Sequence, residues 1–350
     1  MRKKNNSLGN HKFAGKQAAF IIAEAGVNHN GSLKIAKRLI DAAKDSGADA
    51  VKFQTFKAEE LATEYAPKAD YQKHNGSGNT QYEMLKQLEL SEEQFRKLYN
   101  YCKKSNILFL STPFDTKSAD FLFRLGMSIF KISSGDLTNL PLLIHIAGYG
   151  RPIILSTGMS TIKEIRDAVK VIFSAGNRRL TLLHCTSNYP TKYEDVNLRA
   201  MDSMKKFFHV PIGYSDHTQG SEIALAAVVL GAAVIEKHFT LDNNLTGPDH
   251  KTSLEPKEFR EMVGSIRIVE SALGDGVKKP AKSESDIRLV ARKSIVADRD
   301  ISRGTKITRD MLAIKRPGTG IAPKWLSRLV GKHVKRTIKR DRVFNWDLIV

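Results

Sequence analysis

The sequence predicts an α/β fold, a (β/α)8 TIM barrel, followed by a small β-rich domain. Eight short runs of β-branched and aliphatic residues recur along the first 240 residues, amphipathic helical patterns separate them, and polar side chains close each run. Strands that alternate with helices in this way are typical of the barrel. The competing fold, a doubly wound dinucleotide-binding sheet, is disfavoured because no glycine-rich fingerprint follows the first strand.

The predicted strands and helices follow from hydrophobic periodicity. The strands are residues 20–26, 49–56, 107–114, 130–136, 152–159, 180–187, 211–217 and 234–240. The clearest helical patterns are residues 32–48, 91–105, 160–176, 219–233 and 255–274. Ser91 with Gln94 resembles a capping box at a helix start, whereas Ser160 with Lys163 marks a start without one.

Polar side chains collect at the predicted C-terminal ends of the strands, where such barrels build their active sites. They are Glu24, Lys52, Gln54, Thr112, Lys131, Ser134, Asp136, Ser156, His184, Thr186, Ser215, His217, Glu236 and His238. Because successive strand residues point to opposite faces, Glu236 and His238 should face the barrel mouth, whereas Ile235 and Phe239 face the helices. Lys237 shares the parity of these apolar residues, so we expect its side chain to snorkel toward solvent.

The composition indicates an ordinary globular protein, with 41% hydrophobic and 27% charged residues. No uninterrupted apolar stretch is long enough for a transmembrane helix. Residues 1–17 form a basic tail without the apolar core of a signal peptide. The two cysteines, Cys102 and Cys185, are far apart in sequence, which fits a reducing compartment. A cytoplasmic protein is therefore expected.

The net charge of +19 is concentrated near the C-terminus. From residue 281 onward there are 18 Lys and Arg residues against 7 Asp and Glu residues. No RNA-binding motif, zinc finger or helix-turn-helix signature accompanies this charge, so a solvated basic surface is the first interpretation. Attraction of an anionic small substrate comes next. A protein that binds polyanions stays open as a distant alternative.

The domain organisation follows from a change in composition. Residues 18–274 are predicted to be the barrel, residues 275–290 a polar linker, and residues 291–350 a compact β-rich module. Within the module, residues 300–312 and 337–349 echo each other, and each copy reads as a short turn followed by a short apolar β segment. A proline- and glycine-containing loop in the module carries Lys315 and Arg316.

Two histidines lie at the ends of the last two predicted strands. His217 and His238 are both on inward parity, and imidazole nitrogens there suit a borderline divalent metal such as Mn²⁺, Co²⁺ or Zn²⁺. Hydrogen-bonded histidines that contact substrate directly are the alternative. The residues leave both interpretations open.

Other strand-end residues predict a site for an anionic group. Lys52 and Lys131 would be buried lysines that need a counter-ion, and Thr112, Ser134, Ser156 and Ser215 could donate hydroxyl hydrogen bonds to a phosphate or carboxylate. A Schiff-base lysine is the rival role. Glu24 is the candidate acid or base, and Asp249 a candidate polyol-binding carboxylate.

A series of motifs along the chain resembles one known family. The motifs are IIAEAGVNHNGS (21–32), VKFQTF (51–56), FLSTPFD (109–115), KISSGDLTNLPLL (131–143), ILSTGMST (154–161), LLHCTSNYPT (182–191), GYSDHT (213–218), EKHFT (236–240), GPDH (247–250) and IKRPGTG (314–320). Together they resemble the sialic acid synthase (nonulosonic acid synthase) family from about residue 18 to the C-terminus. The C-terminal module resembles that family's antifreeze-like (SAF, β-clip) domain.

This resemblance implies a reaction and a set of roles. Members of the family condense phosphoenolpyruvate with an N-acetylated mannosamine-type aldose and water, and they release phosphate and a nine-carbon 2-keto acid. By resemblance, His217 and His238 would hold a divalent metal, typically Mn²⁺, with Mg²⁺ or Co²⁺ as alternatives, and Glu24 would take part in the proton chemistry. The implied phosphoenolpyruvate contacts are Lys52, Thr112, Lys131, Ser134, Ser156 and Ser215.

The resemblance also implies a sugar site and an assembly. Gln54, Asp136, Tyr189 and Asp249 would line the sugar site. Arg316 would reach the sugar's N-acetyl group in the partner subunit of a domain-swapped homodimer. Neither nucleic acid nor a membrane is an expected partner.

Three departures bear on the choice of sugar. The chain has Ser187 where N-acetylneuraminate synthases commonly have Asn, Lys237 where they have Arg, and Asp136 where they often have Glu. The sequences of its motifs more closely resemble the legionaminic acid synthase branch, whose sugar is 2,4-diacetamido-2,4,6-trideoxymannose. N-acetylneuraminate synthase acting on N-acetylmannosamine is the near alternative, and a Schiff-base aldolase is a more distant one.

Overall fold

The computed structural model describes residues 18–69 and 78–350, together with the backbone of two short paired strands, Ser7–Leu8 and His11–Lys12. Apart from those two strands, the predicted tail 1–17 lies outside the described residues. The chain divides into two compact units, Met1–Gly274 and Asp275–Val350. No helix in the described part of the chain is long and apolar enough to cross a membrane.

The first unit contains a single parallel sheet of eight strands, as the sequence predicts. The strands are β1 Phe20–Gly26, β2 Ala50–Thr55, β3 Leu108–Pro113, β4 Phe130–Ile132, β5 Ile153–Ser156, β6 Leu180–Cys185, β7 Ile212–Asp216 and β8 Val234–His238. Their order is β3-β2-β1-β8-β7-β6-β5-β4. Strands β3 and β4 lie beside each other without being paired in the ladder, so the sheet closes into a near-barrel.

Helices connect the strands and surround the sheet. They are α1 Leu33–Asp45, α2 Ala58–Leu61, α3 Gln81–Leu88, α4 Glu92–Ser105, α5 Thr116–Leu125, α6 Leu140–Gly148, α7 Ile162–Ser174, α8 Ala200–Phe208, α9 Glu222–Val229 and α10 Pro256–Leu273. Three single-turn 3₁₀ helices, Ser134–Asp136, Tyr193–Asp195 and His250–Thr252, lie in loops that follow β4, β6 and β8. The prediction of a (β/α)8 barrel is therefore confirmed.

The barrel has two apolar layers, which follow from strand parity. The inner layer fills the barrel with Phe20, Ile22, Ala50, Leu110, Ile129, Ile154, Leu183 and Val234. A larger layer packs the outward face of the strands against the helices; Ile235, Phe239 and Phe259 belong to it. Burial of each such side chain stabilises the fold by roughly 1.5–3 kcal/mol. The inner layer ends below the charged residues at the strand ends, which gives those residues an apolar floor.

Capping boxes at two of the helix starts bear on the sequence predictions. The Ser91–Gln94 box of α4 is formed as predicted. The prediction for α7 was wrong by one residue, because Thr161 rather than Ser160 is the N-cap. Glu164 N donates to Thr161 Oγ1 over 3.3 Å, and Thr161 N donates to Glu164 Oε2 over 2.7 Å. The adjacent Ser and Thr are both good N-caps, and the glutamate three residues later selects the threonine.

The second unit is a small β-rich module with its own core. It contains α11 Ser285–Ala291, β9 Ser294–Ala297, β10 Leu312–Lys315 and α12 Leu326–Leu329, and β9 pairs antiparallel with β10. Its single-turn 3₁₀ helices are Lys282–Glu284, Arg309–Met311, Pro323–Trp325 and Trp346–Leu348. The stretch predicted to be a linker, 275–290, thus contains a 3₁₀ turn and most of α11.

The internal echo of this module appears in its backbone. Ile301 and Ile338, at equivalent positions of the two copies, form an antiparallel bridge with each other. Each copy continues through a turn and ends in a 3₁₀ helix, Arg309–Met311 in the first and Trp346–Leu348 in the second. The expected β segment is thus reduced to isolated bridges.

Candidate active site

Four buried charged side chains meet at the C-terminal end of the barrel, and we call them the charged quartet: Glu24, Lys52, Lys131 and Glu236. Lys52 Nζ lies 2.6 Å from Glu24 Oε2 and 3.7 Å from Glu236 Oε2. Lys131 Nζ lies 3.6 Å from Glu236 Oε1. No side chain of the quartet is more than 6% exposed. The register places them on one face, because Glu24 pairs with Lys52 and Glu236 pairs with inward-facing Ser215.

Hydroxyl groups surround the charged quartet. Lys131 Nζ donates to Ser156 Oγ over 2.7 Å, and Lys52 Nζ donates to Thr112 Oγ1 over 3.3 Å. Ser215 Oγ donates to Glu236 Oε1 over 3.0 Å. Five of the six residues predicted to bind an anion are therefore in contact with one another or with the two glutamates.

The sixth predicted anion-binding residue, Ser134, joins the site through the loop after β5. Its hydroxyl accepts a hydrogen bond from Gly158 N over 2.9 Å. A Cβ atom on residue 158 would lie 2.9 Å from Ser134 Oγ, so glycine is what allows the backbone to approach the hydroxyl this closely. Ser134 is thus held against the loop that follows Ser156, the residue to which Lys131 donates.

The two glutamates of the charged quartet have opposite protonation behaviour. Burial alone would raise the pKa of Glu236, but Lys131 and Lys52 outweigh it and lower the pKa to about 2. Burial raises the pKa of Glu24 to about 7. The positive charge of Lys52 opposes this rise, and the negative charge of Glu236 adds to it. Glu236 is therefore a fixed anion, whereas Glu24 can accept or donate a proton near neutral pH.

The two lysines are also distinct. Burial lowers the pKa of Lys131, because it outweighs the nearby Glu236. For Lys52 burial acts in the same direction, but Glu236 and Glu24 together raise its pKa above the usual value. Two ammonium groups thus share one permanent carboxylate and one that titrates, which leaves positive charge for an anionic ligand.

The two candidate metal ligands face each other beside the charged quartet. The ring centroids of His217 and His238 are 5.4 Å apart, and the Tyr189 ring covers His217 at 4.2 Å. His217 Nδ1 lies 2.8 Å from the Thr186 carbonyl oxygen, so this nitrogen is the donor, and Nε2 lies 3.5 Å from Ser215 Oγ, whose hydrogen goes to Glu236. His238 Nδ1 is buried and, within the described residues, has no hydrogen-bond partner; it lies 3.9 Å from Asp249 Oδ2.

These two imidazoles fit a divalent metal. A buried ring nitrogen without a partner costs free energy unless a ligand satisfies it, and the carbonyl contact of His217 is the usual support for a metal-binding imidazole. No group of three or more His, Cys, Asp or Glu residues that could hold a metal occurs among residues 18–69 and 78–350. Two imidazoles would thus leave the remaining coordination positions to water and substrate.

The predicted sugar-lining residues extend from the charged quartet toward the loop after β8. Gln54 Nε2 donates to Glu24 Oε1 over 3.2 Å. A Cβ atom on Gly26, whose φ is +50°, would lie 3.3 Å from Gln54 Nε2 and 3.6 Å from Asp249 Oδ2. Burial raises the pKa of Asp249 to about 6, against the opposing charges of His217 and Lys52. Gln54, Glu24 and Asp249 therefore converge around one glycine.

Two further residues predicted to bind the sugar have hydrogen-bond partners of their own. Asp136 lies in the 3₁₀ turn after β4, where Ser133 Oγ donates to its carboxylate over 2.7 Å, and burial raises its pKa. Arg316 belongs to the second unit, where it is exposed and its Nε donates to the Ala291 carbonyl oxygen over 3.1 Å. The sugar-binding roles of both residues remain predictions.

Two expectations about side-chain direction were wrong. His184 does not face the barrel mouth: Cys185 pairs with inward-facing Ser215, so His184 points outward, 2.7 Å from the Val196 carbonyl oxygen. Lys237 does not snorkel to solvent, because its fully buried ammonium group lies 2.8 Å from Asp216 Oδ2. The partner of Lys237 is Asp216 on the neighbouring strand β7, and the parity of β8 alone does not reveal it.

Glu236 and Cys185 are site residues to which the sequence assigned no role. Parity indicated that Glu236 faces the mouth, and the two predicted lysines were the signal that it would be shared between them. Cys185 Sγ lies 3.7 Å from His217 Nδ1, and only the correct register of β6 would have identified it.

The fold and the site define a (β/α)8-barrel protein whose mouth holds a buried group of charged side chains and two facing imidazoles. Family models match it in two parts: the NeuB family over residues 39–278 and the SAF domain over residues 292–350. The chain belongs to the NeuB family, that is, to the sialic acid synthases.

Individual relatives agree with this assignment. The chain is 50% identical to the N,N'-diacetyllegionaminic acid synthase of Legionella pneumophila over 94% of each chain. It is 40% identical to the human N-acetylneuraminate-9-phosphate synthase over 96% of this chain and 94% of that one. The crystal structure of an N-acetylneuraminic acid synthetase from Leptospira borgpetersenii, in complex with citrate, superposes with a TM-score of 0.72 at 40% identity, covering 80% of this chain and 94% of that chain.

Proposed function

We propose that this chain condenses phosphoenolpyruvate with an N-acetylated hexosamine and water, and that it releases phosphate and a nine-carbon 2-keto acid. The observation that carries the proposal is the charged quartet, which lies beside two paired imidazoles at the mouth of the barrel. One half of the site is suited to an anion and the other to a polar, uncharged co-substrate.

The anionic half suits phosphoenolpyruvate. Its phosphate and carboxylate would displace Glu24 as the partner of Lys52 and would add to Glu236 as a partner of Lys131. The hydroxyls of Thr112, Ser134, Ser156 and Ser215 and the Gly158 N–H would supply neutral hydrogen bonds. The apolar floor of the barrel excludes water from below, which strengthens these charge interactions.

The reaction can be written with balanced atoms. C3 of the enol attacks the sugar aldehyde carbon and forms a C–C bond, and positive charge develops at C2. Water adds to C2 and loses a proton to Glu24, whose pKa of about 7 suits both acceptance and return of that proton. Glu24 returns this proton to the alkoxide of the former aldehyde; the bond between C2 and the bridging oxygen then breaks, the C2 hydroxyl becomes the keto group as its proton passes to the departing oxygen, and phosphate leaves. Glu236, a permanent anion, lies where it can stabilise positive charge at C2.

His217 and His238 fit a divalent metal, for which we favour Mn²⁺. When bound, it would act as a Lewis acid toward the aldehyde of the open-chain sugar. Thr186 orients His217 through its carbonyl oxygen, and Tyr189 packs on the rings of both histidines, at 4.2 Å from His217 and 5.5 Å from His238. Gln54, Asp249 and Asp136 are the candidate contacts for the sugar hydroxyl and acetamido groups.

For the sugar itself we favour 2,4-diacetamido-2,4,6-trideoxymannose. The support is the identity of 50% to the N,N'-diacetyllegionaminic acid synthase, against 40% to the N-acetylneuraminate-9-phosphate synthase. N-acetylmannosamine is the second choice. The proposal extends to a domain-swapped homodimer, located in the cytoplasm, in which Arg316 of one chain reaches the sugar's N-acetyl group bound by the other.

A substrate panel tests the proposed function. Phosphate release would be measured with Mn²⁺, phosphoenolpyruvate and, in separate reactions, the diacetamido sugar, N-acetylmannosamine, its 6-phosphate and plain mannose. We expect the highest kcat/KM with the diacetamido sugar and none with mannose. Absence of turnover with all three N-acetylated sugars would overturn the proposal.

The rival aldolase has its own signature. Lys131 has a lowered pKa, which a Schiff-base lysine also needs. Borohydride trapping of pyruvate on the protein, together with full activity in a chelator, would favour the aldolase. The proposed synthase predicts no trapped adduct and no activity in the chelator.

A further inference from the structure

On the outward face of β7 and β8 lies a buried ion pair for which the proposed reaction has no use. Lys237 Nζ donates to Asp216 Oδ2 over 2.8 Å and to the Thr218 carbonyl oxygen over 2.5 Å. Asp216 Oδ1 accepts from Thr218 N over 3.0 Å and from Thr218 Oγ1 over 2.8 Å. Both charged side chains are 0% exposed. We call these three residues the Asp216–Lys237 clamp.

The clamp lies where the backbone ladder between the two histidine-bearing strands ends. Strands β7 and β8 are paired up to Asp216 and Lys237, and His217 follows one residue beyond the end of β7. His238 remains inside β8, where it pairs with Glu24 of β1. Side-chain bonds of the clamp therefore continue the connection between β7 and β8 at the point where backbone bonds stop.

His217 is enclosed by the clamp on both sides in sequence. Asp216 precedes it, Thr218 follows it, and both are bonded to the same ammonium group of Lys237. Lys237 itself directly precedes His238. One buried cation thus links the backbone on both sides of His217 to the residue beside His238, which fixes the separation of the two imidazoles.

An apolar pair could fill the same space. The flanking residues of the same parity, Ile235 and Phe239, are fully buried and apolar. Replacement of a buried ion pair by apolar groups is often neutral or stabilising, so the pair is poor evidence for stability alone. Unlike apolar contacts, hydrogen bonds require a defined geometry, and the four bonds of the clamp hold the Asp216–Thr218 turn in one position.

We propose that the Asp216–Lys237 clamp is a positioning element that sets the affinity of the His217–His238 pair for a divalent metal. This inference rests on the proposed function, since it assumes that the two imidazoles bind the metal. The clamp lies on the outward face of the strands and has no contact with the charged quartet among its described hydrogen bonds. It should therefore act on metal binding and leave the anionic half of the site unchanged.

Mn²⁺ binding to the metal-stripped, full-length protein tests the clamp. The central variant is Asp216→Leu/Lys237→Met, which removes both charges together and leaves neither buried alone. We expect it to unfold cooperatively near the parent Tm but to bind Mn²⁺ at least about tenfold more weakly, the usual effect of removing an outer support of a metal ligand. Free Mn²⁺ would be counted by electron paramagnetic resonance. At saturating Mn²⁺, KM for phosphoenolpyruvate should match the parent.

Three further variants separate the outcomes. Lys237→Arg keeps a buried donor and should retain the parent affinity. Thr218→Val removes one bond to Asp216 and no charge, so it should fold and weaken Mn²⁺ binding by a smaller factor, even if the double variant does not fold. Arg267→Met removes the ion pair with Asp49 at the opposite end of the barrel and should not change Mn²⁺ affinity.

Unchanged Mn²⁺ affinity in both Asp216→Leu/Lys237→Met and Thr218→Val would overturn the clamp proposal. His217→Ala tests the proposed metal site itself, on which the clamp proposal depends. If His217→Ala binds Mn²⁺ as tightly as the parent, the proposed metal site is wrong and the clamp proposal is wrong with it. If His217→Ala loses Mn²⁺ and the clamp variants do not, only the clamp proposal is wrong.

Discussion

Strand β8 separates two buried groups of charges that differ in how completely they are paired. Inside the barrel, Glu236 is shared between Lys52 and Lys131, and its Oε2 accepts no hydrogen bond from the described residues. Outside the barrel, Lys237 and Asp216 form a single pair, and Thr218 satisfies the carboxylate's other oxygen and accepts from the ammonium group.

The difference shows how burial of charge can serve two purposes in one strand. Complete pairing leaves nothing for a ligand to bind, so the outer pair can only hold the backbone in place. Incomplete pairing leaves charge and hydrogen-bonding capacity in a dry site, which costs stability in the free protein and favours an anionic ligand. Substitutions in the outer pair should therefore change folding stability most, and substitutions in the inner group should change catalysis most.

The largest expected effect is on catalysis, from the inner group. Lys131→Met should lower kcat/KM for phosphoenolpyruvate by about 10²–10³-fold, because a fixed positive charge next to the transferred group is lost. Steady-state phosphate release measures it. Lys163→Met, which removes an exposed lysine from α7, is the matched control and should behave as the parent. If Lys131→Met lowers kcat/KM no more than Lys163→Met does, the role of the charged quartet is contradicted.

The next effect is on stability, from the outer group. Lys237→Met leaves Asp216 buried without its partner and should lower the free energy of unfolding by about 3–5 kcal/mol. Lys131→Met should lower it less, because Glu236 keeps Lys52 and Ser215 as partners. Denaturant unfolding of both variants gives the comparison. Equal losses would show that the two groups do not differ as described.

Glu24 makes the stability of the inner group depend on pH. Its pKa is about 7 in the folded chain against 4.5 for the ordinary residue, so the folded state holds the proton more tightly. Stability from this proton is complete below about pH 4.5 and is lost as pH rises toward 7, a change of about 3 kcal/mol. Glu24→Gln removes the dependence. As pH rises from 4.5 to 7, the free energy of unfolding of Glu24→Gln should therefore increase relative to that of the parent. If the two free energies change with pH in parallel, the raised pKa is excluded.

Metal removal should have the smallest effect on the fold. A chelator should abolish turnover, whereas the stability lost should be only the binding contribution, about 2.7 kcal/mol at a Mn²⁺ concentration 100 times Kd. Thermal unfolding with and without Mn²⁺ measures this, and His217→Ala should show no Mn²⁺-dependent change in Tm. Unfolding of the first unit on chelation would mean that the metal is structural.

Much of this comparison could be predicted from the sequence. Alternating strands and helices indicated the barrel, parity turned Glu236 and His238 toward its mouth, and Glu24 and Lys52 were among the polar residues expected at the strand ends. These predictions succeed because the period of a strand and the location of barrel sites are general properties of the fold.

The remainder depended on residues from other strands. The partner of Lys237 is the residue in register with it on β7, and register cannot be read from one strand. His184 was grouped with the polar residues of the barrel mouth, but it points outward because the pairing of Cys185 with Ser215 sets the inward register of β6. The division of charge between Glu24 and Glu236 depends on distances of 2.6 to 3.7 Å to two lysines, which only the folded barrel provides.

The fate of the bridging oxygen of phosphoenolpyruvate tests the central claim most directly. The protein would be supplied with Mn²⁺, the diacetamido sugar and phosphoenolpyruvate that carries ¹⁸O between C2 and phosphorus. We expect all of the label to leave in the phosphate and none to remain in the nine-carbon product. Label retained at C2 of the keto acid, or turnover without release of phosphate, would contradict it.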